Sequence, residues 1–272
     1  MIRLLISGTS HVGAVKGGWD LIAADYAGKV EVTFFAVPAA RYGHLRFDGT
    51  RFGADKADIP PEVKAVAQAI NGRTWVDLAD YDHVLMVGQA GSGKYELIAD
   101  ILAGYDLDGL PPRGKPQRLS WSAFVAALDD RASGLVARLA AWRAAARGGI
   151  SLMTPPRTLE TVLVPGAAAN RPGLWDGLGL SPADLRRTLD AYDSRRAHAL
   201  ERLGIRMVPK PDAVLGPSGF TAARFKAGAL RLAGEKAQPE DDLQHMNAEY
   251  GAIVLRDFLS TLLAETRPAL SA

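Results

Sequence analysis

Cysteine is absent from the 272 residues, which removes disulfide staples, thiolate zinc ligands and cysteine nucleophiles from consideration. No uninterrupted apolar stretch approaches the roughly 18 to 20 residues of a membrane-crossing helix. The first apolar run stops at Gly8 with no small-residue cleavage site behind it. Neither a secretory leader nor a membrane span is legible, and a cytoplasmic protein is the expectation. Neither sign of charge dominates, since 32 Lys and Arg stand against 30 Asp and Glu. The basic residues are spread among the acidic ones, so the footprint of a nucleic-acid binder is missing.

What remains is ordinary globular material, 48% hydrophobic and 23% charged, in a chain long enough to bury a sizeable core. There is no internal repeat, low-complexity linker or shift in composition, so residues 1–272 read as one domain. Near-continuous apolar runs predict strands at residues 2–7, from Lys29 to Pro38, and at residues 83–87, 150–153 and 205–208. Between them, apolar residues recur at helical spacing over residues 12–27, after Pro60-Pro61, over 97–102, over 120–147 and from Ser181 to about Leu203. A terminal helix begins near Asn247. Asp48-Gly49, flanked by Leu45, Phe47 and Phe52, predicts a hairpin outside the main sheet. Residues 155–180 and 209–238 read as mostly irregular, with a partly helical stretch over 222–232. Trp121, Phe124 and Trp142 are expected to pack on the sheet. Arg186, Arg187, Arg195 and Arg196 are expected to form a solvated helix face. Alternation of strand and helix means crossover connections. The predicted architecture is a three-layer α/β/α sandwich with a mainly parallel five-stranded sheet in flavodoxin-like order 2-1-3-4-5.

In that order, ligands bind beyond the carboxyl ends of the first and third strands. Those ends are the turns Gly8-Thr9-Ser10-His11 and Gly88-Gln89-Ala90-Gly91. The first presents an exposed hydroxyl between strand and helix. A serine hydroxyl needs a neutral imidazole to take its proton, and a carboxylate to orient that imidazole. Asp242 and His245, three residues apart at the mouth of the terminal helix, are the candidates. Each has a plainer reading as well: Ser10 is a good helix N-cap, and Asp241 and Asp242 suit a helix's first turn.

Glycine, threonine, serine and histidine at Gly8 to His11, with D-x-x-H at Asp242 to His245, resemble the SGNH (GDSL-like) hydrolase family. The block H-M-N-A-E-Y-G, His245 to Gly251, is similar to the final block of bacterial members associated with polysaccharide modification. The resemblance implies a Ser10–His245–Asp242 triad acting as esterase or acyltransferase on a carbohydrate or other small-molecule ester, without metal or organic cofactor. It also implies an oxyanion hole, assigned to the Ser10 backbone with Gly43 and Gln89. Thr9 stands where the family usually has Asp, and Gly88-Gln89-Ala90-Gly91 stands where it has G-x-N-D. His11 and His44 are the candidate substrate contacts. His83 reads as a strand-edge residue and His198 as an exposed helix residue.

Two alternatives stay open. Gly88-x-x-x-x-Gly93-Lys94 matches most of a nucleotide-binding P-loop, although Tyr95 replaces the magnesium-binding hydroxyl. A glycan-binding protein of the same fold without catalysis is the other.

Overall fold

The computed structural model describes residues 1–89, 95–165, 174–234 and 236–266. Its main sheet comprises β1 (Ile2–Gly8), β2 (Val30–Ala36), β3 (His83–Val87), β4 (Gly149–Met153) and β5 (Arg206–Met207). These lie in the order β5-β4-β3-β1-β2, and every pairing is parallel. The predicted order therefore stands. Helices cover both faces: α1 (Val12–Ile22), α2 (Ala39–Tyr42), α3 (Pro61–Asn71), α4 (Glu96–Gly104), α5 (Trp121–Ala145), α6 (Pro182–Glu201) and α7 (Ala248–Thr266).

Alternation along the strands divides the core into two layers. Leu4 and Ile6 of β1, with Leu85 and Val87 of β3, pack against α1 and α7. Leu5, Val84 and Met86, on the other side of the same strands, pack against α3 and the second half of α5. Both sides of the central strands are buried, which is why they read as continuous apolar runs.

The α1–α7 contact is set by glycine. A Cβ on Gly18 would fall 2.2 Å from the Ala252 nitrogen, and one on Gly251 would fall 1.8 Å from the Ala14 oxygen. The two helices therefore touch backbone to backbone. The glycines that lower the helix propensity of residues 12–22 are what allow that approach.

Several expectations need adjusting. The first helix ends at Ile22 and passes into a 3-10 turn, Ala23–Tyr26. The fifth strand is two residues long, and the helical part of residues 222–232 is a single 3-10 turn, Ala223–Lys226. The hairpin forms with Phe47 opposite Phe52, and Trp75–Asp77 joins it as a third strand. The α5 stripe does not lie wholly on the sheet. Its 25 residues span about 37 Å, more than twice the length of a five-residue strand. Trp142 packs on the sheet side, while Phe124 and Leu128 join α4 and α6 in a third apolar cluster.

The basic face of α6 is also corrected. Arg196 is buried, donating to Tyr95 Oη at 2.6 Å and to the Asp193 carboxylate. Asp193 also receives Arg157 at 2.7 Å, and Lys210 lies 3.7 Å from it. Arg195 instead pairs with Asp129 of α5 at 2.6 Å. His83 is buried rather than at an edge, with Nε2 2.9 Å from Ser151 Oγ.

Candidate active site

Ser10 lies in the turn between β1 and α1. That turn is tied to the end of β3 by the Thr9 amide, which donates to the Val87 oxygen at 3.2 Å, and by Thr9 Oγ1, which donates to the Gly88 oxygen at 2.7 Å. Thr9 is buried, so the residue before the serine serves as a structural tie. The Ser10 N–H donates no hydrogen bond among the described residues.

His245 reaches Ser10 from the opposite end of the sequence. Asp242 Oδ1 accepts from the backbone N–H groups of Gln244 at 2.8 Å and His245 at 3.0 Å, bending the chain into a tight turn. Lys226 Nζ holds the same turn from outside, donating to the carbonyls of Pro239 and Asp242. Asn247 then caps α7: its Oδ1 accepts from the Tyr250 N–H at 3.0 Å, and its Nδ2 donates to the Ala227 oxygen at 2.9 Å. Asp242 and Asn247 thus fix the turn that delivers the His245 imidazole.

Asp242 Oδ2 is 2.6 Å from His245 Nδ1, and His245 Nε2 is 2.7 Å from Ser10 Oγ. A carboxylate only accepts, so Nδ1 carries the proton, and in the neutral ring Nε2 accepts from the serine hydroxyl. Burial alone would raise the Asp242 carboxyl. The hydrogen bond from His245, joined by the two turn N–H groups, outweighs burial and holds it well below the usual carboxylate range. The pair stays ionised at Asp242 and only 21% and 16% of the His245 and Asp242 side chains are exposed.

His11 stacks on His245, with ring centroids 4.6 Å apart and planes 14° from parallel. Burial first, and then the proximity of His245, lower its pKa to about 3, against the pull of Asp242. It is neutral at physiological pH. Gly88 packs against it, at φ +63°, and a Cβ there would fall 2.7 Å from His11 Cδ2. Gln89 is buried and its Nε2 donates to Tyr42 Oη at 2.6 Å. That bond joins the end of β3 to α2, and Gly43 follows directly as the exposed C-cap of α2. His44 is exposed in the next turn. Lys94 and the loop 90–94, which the P-loop reading needs, lie outside the described residues.

No family model matches the chain, and no curated protein matches it. Among the solved structures that align with the chain are two at low identity. One is the lipase Lip_vut3 from a goat rumen metagenome, at 10% identity and TM-score 0.38, covering 94% of this chain and 96% of that one. The other is the periplasmic domain of a lipopolysaccharide acetyltransferase from Salmonella ser. Paratyphi A, at 11% identity and TM-score 0.43, covering 96% and 83%.

Sequence reasoning missed Thr154 and Lys210. Thr154 follows β4 and lines, with Ser10 and His245, a cavity of about 10 Å³, roughly the room one water needs. Lys210 follows β5 and donates to Thr154 Oγ1 and, at 3.0 Å, to Tyr95 Oη. Neither residue sits in a motif, and only the parallel order of β4 and β5 brings them together. Among the described residues no cluster of His, Cys, Asp and Glu is arranged to hold a metal ion. No described helix is long and apolar enough to cross a membrane.

Proposed function

We propose that residues 1–272 form one serine-dependent esterase or acyltransferase domain, with Ser10 as nucleophile, His245 as general base and then acid, and Asp242 as the orienting carboxylate. The observation that carries this reading is the hydrogen-bonded line from Asp242 through His245 to Ser10, with contacts of 2.6 and 2.7 Å. These are the distances at which an imidazole can take the proton of a hydroxyl as it attacks.

Ser10 Oγ forms a bond to the acyl carbon while its proton passes to His245 Nε2. Asp242 steadies the resulting imidazolium. The carbonyl electron pair becomes an oxyanion, for which the Ser10 N–H is the donor we assign; the Gln89 amide is bound to Tyr42 and the Gly43 N–H to the Arg41 oxygen, so neither is given that role. The intermediate collapses with the alcohol leaving, protonated from Nε2. An acceptor hydroxyl then attacks the acyl carbon, giving its proton to His245, and the Ser10 Oγ–acyl bond breaks as His245 returns that proton to Ser10 Oγ. Water as acceptor makes the protein a hydrolase, and a sugar hydroxyl makes it a transferase. The substrate class we assign is an O-acylated carbohydrate or other small ester, with acetyl as a candidate acyl group.

A fluorophosphonate probe tests the assignment without knowledge of the substrate. Wild-type protein is expected to label at one serine, and Ser10→Ala to abolish labelling while leaving the thermal unfolding midpoint unchanged. A folded wild-type protein that does not label overturns the reading and leaves a glycan-binding role, which titration with acetylated and deacetylated oligosaccharides would then measure.

A further inference from the structure

His11 directly follows the nucleophile, yet its ring faces the base. The two bonds that His245 makes, to Asp242 and to Ser10, fix the directions of its nitrogens. They leave the ring free to tilt about the line joining them. A flat partner on one face removes that tilt, and His11 is such a partner, 4.6 Å away and 14° from parallel.

The position of His11 is itself over-determined. It sits at the N-cap of α1, and the Gly88 turn closes on its side chain. Thr9, on the serine's other flank, bonds to Gly88 and holds that turn in place. His11 Nδ1 is buried and has no hydrogen-bond partner among the described residues. A polar atom buried without a partner is costly. A leucine would fill the same space without that cost, so packing alone does not account for an imidazole here.

We propose that His11 is a positioning residue: its neutral ring, stacked on His245, sets the plane of the base and stabilises the imidazolium that forms when Ser10 gives up its proton. The attraction is that of a cation for the face of an aromatic ring. This inference rests on reading His245 as the general base. The other groups around His245 are Asp242 from its own turn, Ser10, and Thr154 and Tyr250 across the shared cavity. Lys226 is bound to the Asp242 carbonyl, and Lys210 lies behind Thr154. Burial pushes the Tyr250 phenol up, so it is neutral. None of these faces the imidazole as a second stacked ring.

The test compares the pH dependence of fluorophosphonate labelling in wild type, His11→Leu and His11→Phe, each checked for folding by circular dichroism. Leucine keeps the burial and removes the ring face, whereas phenylalanine keeps both. His11→Leu is expected to label about three- to tenfold more slowly on the plateau. Its acidic limb should also move to lower pH, because the imidazolium has lost a favourable neighbour. His11→Phe should stay within about twofold of wild type with its limb in place. A leucine variant matching wild type in rate and limb overturns the proposal, as does a folded phenylalanine variant that falls as far as leucine. If phenylalanine does not fold, the leucine limb decides, since a residue that only fills space would slow labelling without moving it. If wild type does not label, the serine-nucleophile reading has failed. NMR titration of the His245 ring then decides the stack: a lower midpoint in His11→Leu supports it, and an unchanged one overturns it.

Discussion

Gly251 of α7 lies so close to Ala14 of α1 that a Cβ on the glycine would fall 1.8 Å from the Ala14 carbonyl oxygen. The same two helices carry Ser10 just before one N-terminus and His245 just before the other. Backbone contact between the helices is therefore what sets the distance between Ser10 and His245. Gly251→Ala meets backbone atoms, which cannot swing aside, so the helices must separate. The expected cost is about 3 kcal/mol, read from urea denaturation. Labelling of Ser10 should weaken in the surviving folded fraction, because His245 is carried away with α7.

Asp242→Asn preserves shape but offers the His245 ring a donor as readily as an acceptor, so the orienting role proposed for Asp242 would be lost. The expected fall in labelling rate is about 10³- to 10⁴-fold, with the fold retained by circular dichroism.

The same variant has a signature in acid. The folded-state pKa of Asp242 lies below its ordinary 3.8, so its contribution to stability is complete above about pH 4 and is lost as pH falls towards the folded value. Wild-type stability should therefore decline on acidification below about pH 4, and Asp242→Asn should show a shallower decline. Equal slopes in wild type and variant, measured by urea midpoints at a series of pH values, would count against this account. Asp193, depressed in the same direction by Lys210, Arg196 and Arg157 against the opposing effect of burial, keeps a residual slope in both proteins.

Asp193→Asn tests the buried ion cluster itself. The side chains of Arg157, Arg196 and Lys210 are 2%, 1% and 6% exposed and would lose the carboxylate they share. Removing one member of a buried charge set costs about 3–5 kcal/mol, which guanidinium or urea unfolding would register. Because Lys210 also holds Thr154, labelling of Ser10 provides a second readout in protein that remains folded.

Gly88→Ala places a side chain where φ is +63° and where His11 and Thr9 already stand. Backbone strain alone costs about 1–2 kcal/mol. The larger consequence is displacement of His11, so slower labelling with a lowered acidic limb should reproduce the behaviour of His11→Leu.

The sheet was readable because its central strands are buried on both faces. Runs such as Leu4 to Ile6 and His83 to Val87 have no solvent side to encode, so they appear as unbroken apolar stretches. Its edge was less readable. β5 makes only two paired positions with β4, too few to impose a pattern on the residues around Ile205. The α6 arginines were misread for a related reason. A charged residue in a helix looks solvated until a partner from elsewhere is known, and Arg196 finds Tyr95 from α4's N-cap beside Asp193 on its own helix.

Ser10, His245 and Asp242 were legible as candidates by residue type, spacing and turn placement. Thr154 and Lys210 were not, since they follow separate strands and meet only because β4 and β5 run in parallel.

By itself the sequence determined the alternation of strands and helices, the exposed hydroxyl after β1, and the local Asp242–His245 pair, all consequences of short-range spacing. Tertiary structure alone decided that a serine and a histidine 235 positions apart meet at 2.7 Å. It also decided that His11 turns towards His245. Both depend on how closely α1 and α7 approach and on Gly88 leaving room beside them. Contacts of that kind depend on backbones from distant parts of the chain, and no local pattern records them.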